Sequence, residues 1–221
     1  METRTAIVFG ATGLVGRALV EELCKSDRYD TVKIFVRRDV GFSGMAKVKG
    51  FIIDYSNLKD YSALITGDDL FICLGTTIRK AGSVRRMEEI DRDLPLEIAS
   101  LASGNSVEKL AVVSSAGANP GSSNYYLRIK GEMERGIMKS EFRTIMVARP
   151  SILLGERTEK RRGEDIGRRV MKIASIFLIG KLAKYRPIEG SDVARAMMKA
   201  IGENSGTQIL ESDVLQKICR N

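Results

Sequence analysis

The sequence contains no histidine among its 221 residues. Histidine is the base of Ser-His-Asp and Cys-His nucleophile pairs and a ligand in the HExxH proteases, so its absence excludes these classes and every histidine-ligated metal site. The three cysteines, Cys24, Cys73 and Cys219, form no CxxC pair. They support neither a zinc site nor a disulfide framework, and as reduced thiols they lead us to expect a cytoplasmic protein.

Long apolar runs are also missing. No stretch approaches the ~18 residues needed to span a bilayer, and the first residues lack a signal-peptide pattern, so we expect no membrane partner. Four prolines, 21 glycines, 43% hydrophobic and 29% charged residues are typical of a folded globular chain. The length suits one hydrophobic core and is too short for two ordinary domains, so residues 1–221 are expected to form a single domain.

The net charge of +8 is concentrated locally, because residues 156–186 hold ten Lys or Arg against four Asp or Glu. Few aromatic residues accompany these charges, and solvated helices commonly have this composition, so we expect no specific nucleic-acid partner. A better use is electrostatic steering of an anionic ligand by the basic side chains Arg157, Lys160, Arg161 and Arg162.

Short β-branched runs alternate with helical patterns in the first 120 residues, which predicts an α/β fold with a doubly wound parallel sheet. The six strand candidates are Thr5–Phe9, Thr31–Arg37, Val48–Ile53, Asp69–Leu74, Leu110–Ser114 and Arg143–Ala148. A helix over 84–103 is expected to break near Asp93, because Pro95 lacks an amide donor. Residues 151–221 are expected to form a small cap and the last helices over the carboxyl ends of the strands, where ligands bind in such folds.

The segment GATGLVG at 10–16 joins the first strand to the first predicted helix. Gly10 permits a tight turn, Gly13 lets the backbone approach a pyrophosphate, and Gly16 allows close packing of the helix. The helix amino terminus supplies amide donors and a positive dipole. This placement predicts a dinucleotide site, although glycines can also serve turn geometry alone. Its residues in this loop are Gly10, Thr12, Gly13, Leu14 and Val15.

Arg37 and Arg38 follow about twenty residues later, at the end of the second strand, where an NAD site would place an acidic residue. A guanidinium matches a ribose 2′-phosphate in charge and geometry, so the sequence favours NADP(H) over NAD(H). The alternative is that both arginines only decorate a solvated strand end.

Other cofactor contacts are predicted where later strands end. Asp54 is placed to accept a hydrogen bond from the adenine amino group, and Gly75 permits close approach of the backbone. Pro150 forces an extended turn whose free backbone groups can meet a nicotinamide carboxamide. An ordinary loop role is the alternative for each. The whole set is Asp54, Tyr55, Leu74, Gly75, Thr76, Thr77, Pro150, Ser151 and Ile152.

Tyr126 and Lys130 lie four residues apart in a helical pattern, so their side chains share one helix face. An ammonium near a phenol favours the phenolate, which makes the tyrosine a usable proton donor or acceptor at neutral pH. Ser114 and Ser115 close the fifth strand, where a hydroxyl can polarise a substrate carbonyl. The alternative is a half-buried tyrosine beside a solvated lysine.

With these residues in place, the chain resembles the atypical branch of the short-chain dehydrogenase/reductase superfamily, and more narrowly the Tat-interacting oxidoreductase family. The resemblance implies a Rossmann fold that binds NADPH, with Ser115, Tyr126 and Lys130 at the catalytic positions and Lys130 also bonded to the nicotinamide ribose. It rests on the glycine loop, Arg37-Arg38, CLGTT at 73–77, KAG at 80–82, DRD at 91–93, SSAGA at 114–118, YLRIKGEME at 126–134 and RPSILLGER at 149–157.

The leading interpretation is an NADPH-dependent oxidoreductase that reduces a small carbonyl substrate. One alternative is an NADPH-binding sensor whose surface is recognised by a protein partner, with little or no turnover. Another is an enzyme similar to the nucleotide-sugar epimerases, which the short carboxyl-terminal segment disfavours.

Overall fold

A parallel sheet lies at the centre of the molecule. The computed structural model describes residues 3–39, 41–42, 44–155, 180–203 and 205–220. The strands there are β1 Arg4–Phe9, β2 Tyr29–Val36, β3 Val48–Ile52, β4 Asp69–Ile72, β5 Lys109–Val113, β6 Thr144–Arg149, β7 Leu153–Leu154, β8 Ile188–Glu189 and β9 Gly206–Glu211. The main sheet has the order β3-β2-β1-β4-β5-β6-β9, all parallel, and β7 pairs with β8 separately.

Helices cover both faces of this sheet. They are α1 Leu14–Lys25, α2 Ile78–Ala81, α3 Val84–Glu88, α4 Leu94–Gly104, α5 Tyr125–Ile137, α6 Gly190–Glu203 and α7 Ser212–Arg220, together with 3₁₀ segments over Tyr55–Leu64 and Gly180–Tyr185 and a π-helical turn over Glu89–Asp93. None of the helices in the described ranges is long and apolar enough to cross a bilayer.

The strand order confirms the predicted doubly wound Rossmann-like fold. The chain runs from β1 through β2 to β3 on one side, then crosses to β4 on the other side of β1. This reversal opens a crevice at the carboxyl ends of β1 and β4, which is where open α/β sheets bind ligands. All six predicted strands are present, with ends that differ by at most two residues from those expected.

Two hydrophobic clusters hold the layers together. Buried side chains of α1 and α6, such as Leu19 and Met197, pack on one sheet face, and those of α4 and α5, such as Ile98 and Met133, pack on the other. The inner strands β1, β4, β5 and β6 are buried along most of their length, which explains their nearly continuous apolar sequences, whereas the edge strands β3 and β9 are largely exposed.

The helix predicted over 84–103 is interrupted near Asp93 as expected, but by a widened turn and not by a gap in the helical path. The chain passes from α3 to α4 through the π-helical turn, in which the Leu94 amide donates to the Glu89 carbonyl. Pro95 lies in the first turn of α4. A wider turn accommodates a residue without an amide donor, so the helical path continues while the side chains before the proline are displaced from regular α-helical spacing.

The carboxyl-terminal segment does more than the expected cap. In its described part, β9 joins the main sheet beside β6, and α6 packs against α1. This part of the chain therefore completes the sheet and one of its helical layers. Residues 156–179, which include the basic side chains Arg157, Lys160, Arg161 and Arg162, lie outside the described residues.

Candidate functional site

The glycine loop lies at the carboxyl ends of β1 and β4, in the crevice where the strand order reverses. Gly10 has a φ of +84°, and a Cβ atom there would lie 2.6 Å from the carbonyl carbon of Cys73. A Cβ atom on Gly16 would collide with the carbonyl oxygen of Gly10. Glycine at these two positions therefore permits both the turn and the close approach of α1 to it.

The first turn of α1 has no side-chain cap, because Gly13 occupies the N-cap position. Thr12 and Gly13 are exposed, and the Gly13 amide donates to the Gly10 carbonyl over 3.0 Å. Leu14 packs against Gly155 and Val15 is buried. The helix thus presents uncapped amides and its positive dipole end, which suits the binding of a phosphate group.

A buried ion pair lies beside this crevice. The Nζ atom of Lys130, on α5, is 2.8 Å from Oδ1 of Asp91, and the two side chains are only 2% and 0% exposed. The other carboxylate oxygen of Asp91 accepts a hydrogen bond from the Thr76 amide over 3.0 Å. Lys130 also donates to the carbonyl of Val113 at 3.4 Å. Asp91 therefore links the lysine to the loop that follows β4.

The ion pair keeps Lys130 charged in a buried position. Burial alone would lower the pKa of Lys130, but the Asp91 carboxylate, with smaller contributions from Tyr126 and Glu134, outweighs that effect and raises the pKa above its usual value. The lysine is consequently an ammonium at neutral pH, near enough to Tyr126 for a direct electrostatic interaction.

No sequence motif predicts the role of Asp91 in this site. Met87, Asp91 and Ile98 are all buried in the helical path that runs from α3 to α4. Asp91 lies four residues after Met87 and seven before Ile98, so it occupies a position on the buried helix face. A carboxylate is unusual at such a position, because an unpaired buried charge is costly. That position within the buried stripe is the signal that indicates a buried cationic partner for Asp91.

Tyr126 lies one turn before Lys130 on α5, and the two serines directly follow Val113, whose carbonyl accepts a hydrogen bond from Lys130. Asn124 caps α5 by accepting from the Leu127 amide, so the helix begins at Tyr125 and presents Tyr126 and Lys130 one turn apart. Ser115 is partly exposed. Ser114 is buried, and its Oγ atom has no hydrogen-bond partner within the described part of the chain. An unpaired buried hydroxyl is costly and suits a site completed by a ligand.

The predicted cofactor residues at the carboxyl ends of β2 and β3 differ in exposure and in hydrogen bonding. Arg37 and Arg38 are exposed immediately beyond β2. Asp54 caps the 3₁₀ segment, and the hydroxyl and amide of Ser56 hold its pKa below the usual value. The Tyr55 hydroxyl donates to the Phe35 carbonyl over 2.8 Å, and burial raises its pKa. Among the described residues, neither arginine makes a hydrogen bond or an ion pair, although the positive charge of Arg37 opposes the rise in the pKa of Tyr55.

The loop after β4 is built around Asp91. A Cβ atom on Gly75 would lie 3.4 Å from Asp91 Oδ1 and 3.9 Å from Lys130 Nζ. Thr77 caps α2 through its hydroxyl, and Leu74 packs on the hydrophobic cluster beneath α4 and α5. The backbone at Gly75 and Thr76 therefore lies next to the buried ion pair.

The residues after β6 are tied to neighbouring segments. The Pro150 carbonyl accepts from the Ala116 amide over 2.9 Å, and the Ile152 carbonyl accepts from the Ile188 amide over 3.0 Å. The Ser151 hydroxyl donates to the Arg186 carbonyl. The Ile152 side chain is largely exposed. Two of the backbone acceptors expected to be free thus already take one hydrogen bond each.

Together these features fit a dinucleotide cofactor. The glycine crevice and uncapped helix terminus suit its phosphates, and the Lys130 ammonium and the unpaired Ser114 hydroxyl lie further along the carboxyl edge of the sheet.

Comparisons with known proteins agree with this geometry. The chain matches the NAD(P)H-binding family over residues 10–204. It is 34% identical over 172 residues to Protein HTATIP2 of Rattus norvegicus, which covers 76% of this chain and 71% of that protein. It is 33% identical over 211 residues to Protein FMP52, mitochondrial, of Saccharomyces cerevisiae, which covers 90% and 88%.

Solved structures share the fold. MoeE5 in complex with UDP-glucose and NAD superposes with a TM-score of 0.70 at 18% identity, over 93% of this chain and 75% of that one. The Bordetella bronchiseptica enzyme WbmG in complex with NAD gives a TM-score of 0.68 at 11% identity, over 99% and 77%.

The expected cytoplasmic localisation is contradicted by these relatives. FMP52 proteins of several yeasts, each 33% identical to this chain, are named mitochondrial, which points away from a plain cytoplasmic location. The expectation rested on reduced, widely spaced cysteines, and these are equally compatible with any reducing compartment.

The family assignment rests on the match over residues 10–204 and on relatives that are at least 30% identical over most of their own length. The chain belongs to the NAD(P)H-binding family, and HTATIP2 and FMP52 proteins are among its relatives.

Proposed function

We propose that this protein is an NADPH-dependent reductase of a small carbonyl compound. The observation that carries the proposal is the buried Lys130 ammonium, held by Asp91 and one helical turn from Tyr126 beside a dinucleotide crevice. A neighbouring ammonium stabilises the phenolate that remains after a phenol has donated its proton.

Each residue of the proposed site has one task. Tyr126 protonates the oxygen of the developing alkoxide, Ser115 holds that oxygen through its hydroxyl, and Lys130 favours the phenolate left on the tyrosine. When bound, the reduced nicotinamide supplies the hydride. Asp91 is a positioning residue, since it touches Lys130 and the Thr76 amide. Lys130 also serves the cofactor by donating to its nicotinamide ribose.

The cofactor residues extend from the glycine loop to the ends of β2, β3, β4 and β6. The exposed guanidinium groups of Arg37 and Arg38 support a preference for NADP(H), because each can bind a 2′-phosphate through two parallel hydrogen bonds. Asp54 and Tyr55 are assigned to the adenine side. Their polar atoms already make hydrogen bonds within the protein, so we assign these two residues to the wall of the adenine site.

The test compares Tyr126→Phe with the matched control Tyr125→Phe in a panel of small ketones and aldehydes. Tyr125 is adjacent to Tyr126 in α5, but the residue one turn beyond Tyr125 is Ile129 and not a lysine. NADPH consumption is followed by absorbance. Tyr126→Phe is expected to lower turnover by about 10²-fold or more, with NADPH affinity unchanged. Tyr125→Phe is expected to remain near the unsubstituted rate.

Two results contradict the proposal. Retained turnover in Tyr126→Phe shows that the proton comes from another group. NADPH that binds the unsubstituted protein but is consumed with no member of the panel favours the sensor alternative, in which the bound cofactor alters a surface recognised by a protein partner.

A further inference from the structure

A second cavity, of about 430 Å³, opens at the amino edge of the sheet, away from the glycine crevice. Its wall contains four cationic side chains, Arg4, Arg28, Lys109 and Lys199. Arg4 and Lys109 begin β1 and β5, Arg28 precedes β2, and Lys199 lies on α6. Cavities of roughly 300–1,000 Å³ are the size that holds small molecules in proteins.

The described residues that line this cavity include four cationic side chains and no acidic one. The carboxylate of Asp69 is fully buried beside the cavity and accepts from Arg4 Nη2 at 2.7 Å and from Arg28 Nη2 at 2.8 Å. Asp68 interacts more weakly with Arg4. Among the described residues, Asp69 and, more weakly, Asp68 are the carboxylates that interact with these arginines, and Asp69 also accepts a hydrogen bond from the Tyr29 hydroxyl.

Backbone carbonyls accept hydrogen bonds from some of these cationic side chains but do not neutralise their charge. Lys109 Nζ donates to the Ile201 carbonyl at 3.2 Å, and Arg28 Nη1 donates to the Met198 carbonyl at 3.5 Å. Both carbonyls belong to the last turns of α6. Lys199 makes only a 3.5 Å contact with the Ile218 carbonyl. Several N–H donors of these side chains thus have no acceptor among the described residues.

The cationic side chains at this cavity repel one another electrostatically. Burial lowers the pKa of Lys109, and although Asp69 opposes this effect, Arg28, Arg4 and Arg143 lower the pKa further. Lys109 is only 6% exposed, so water does little to screen it. A bound anion would reduce this repulsion and provide the missing acceptors.

A glycine on α6 makes room for the arginine of the cavity. A Cβ atom on Gly202 would collide with Nη1 of Arg28. The Arg28 guanidinium therefore lies close against the backbone of α6 at Gly202.

We infer that this cavity binds a phosphate-bearing anion. Guanidinium groups suit phosphate because their planar donors match its oxygens, and two lysines complete a ring of charge around it. The inference is independent of the proposed reductase function, since none of the lining residues belongs to the glycine crevice or to the Tyr126 and Lys130 pair.

The experiment is calorimetric titration of the full chain with inorganic phosphate and, separately, with glycerol 3-phosphate, at constant ionic strength. Lys199→Gln removes one lining charge at a partly exposed position, and Lys109→Gln removes the buried one. Each is expected to weaken phosphate binding by about tenfold or more. Lys59→Gln, an exposed change of the same charge in the 3₁₀ segment over Tyr55–Leu64, is the matched control and should bind as the unsubstituted protein does.

The outcomes separate the sources of phosphate. Tighter binding of glycerol 3-phosphate supports a phosphorylated metabolite, and equal binding supports the free ion. No saturable binding to the unsubstituted protein overturns the inference. Binding that Lys199→Gln leaves unchanged also overturns it, because the phosphate then lies elsewhere, as at the glycine loop. Lys199→Gln keeps the test decisive even if thermal unfolding shows that Lys109→Gln is poorly folded.

Discussion

Lys130 and Asp91 are the residues on which the proposed chemistry most depends. A buried lysine is normally pushed towards its neutral form, and here the carboxylate reverses that tendency. Asp91 also holds the Thr76 amide, so one side chain fixes both the charge of the lysine and the backbone beside the crevice. A substitution of Asp91 is therefore expected to change both the rate of the proposed reaction and the stability of the fold.

Asp91→Asn keeps the shape of the side chain and removes its charge. Because breaking a buried ion pair costs about 3–5 kcal/mol when one charge is left unpaired, we expect a lower free energy of unfolding at pH 7, measured with urea, and reduced NADPH turnover. Asp93→Asn, an exposed change in the same turn, is the control and should alter both quantities little.

The same pair predicts a pH dependence of stability. The folded pKa of Lys130 is raised, so the stabilisation it provides is fully present below the unfolded pKa of lysine and is lost as the pH rises through the folded value. Unfolding titrations at alkaline pH should therefore show a loss of stability that begins at lower pH in Asp91→Asn. Identical alkaline profiles would mean that the carboxylate does not hold the lysine charge.

Gly10→Ala tests whether the glycine loop is needed for close backbone contact. Gly10 and Gly82 both have positive φ, at +84° and +79°, but a Cβ atom would meet the Cys73 backbone at the first and nothing within 4 Å at the second. We expect Gly10→Ala to lower the free energy of unfolding by about 1–3 kcal/mol more than Gly82→Ala does. Equal losses of unfolding free energy would mean that the positive φ alone, and not close backbone contact, requires glycine at position 10.

At the scale of secondary-structure elements, Arg149 at the end of β6 joins three of them. Its guanidinium contacts Glu134 on α5, which is 1% exposed, and Glu211 at the end of β9, and it also donates to the Ala118 carbonyl. These contacts fix α5, which carries Tyr126, against the sheet. The edge strand and the proposed catalytic helix therefore depend on one side chain.

Arg149→Met should be strongly destabilising, because it leaves the buried Glu134 without a cationic partner; we expect about 3–5 kcal/mol of lost unfolding free energy. Arg143→Met provides the comparison, since Arg143 pairs with Glu108 at the surface, where both side chains are more than half exposed. That change should cost less than about 1 kcal/mol. Chemical denaturation measures both, and similar losses would contradict the structural account of Arg149.

The elements themselves were largely predictable from sequence. Six strands follow from their apolar runs, and α1 follows from its apolar stripe of Leu14, Val15, Ala18, Leu19 and Leu23. Strand β9 was not predicted, because it lies at the sheet edge and only Leu210 is buried in it, so its sequence lacks a continuous apolar run. The π-helical turn was also missed, since a proline pattern predicts a break as readily as a widened turn.

At the scale of the whole molecule, the two edges of the sheet differ in chemistry. The carboxyl edge carries the glycine crevice, the ion pair and the exposed arginines, all of which local motifs indicated except Asp91. The amino edge gathers Arg4, Arg28 and Lys109 around Asp69 from segments far apart in sequence. No local pattern predicts that cluster, because it exists only once the strands are in register.

The most direct measurement is a titration of NADPH and, separately, NADH with the purified protein, followed by nicotinamide fluorescence; the chain has no tryptophan to interfere. We expect saturable enhancement with NADPH bound at least about tenfold more tightly, equivalent to about 1.4 kcal/mol. Arg37→Ala and Arg38→Ala should reduce that preference, and Lys59→Ala should not. Equal affinity for both cofactors would contradict the assignment of the arginines, and binding of neither would contradict the cofactor role of the glycine loop.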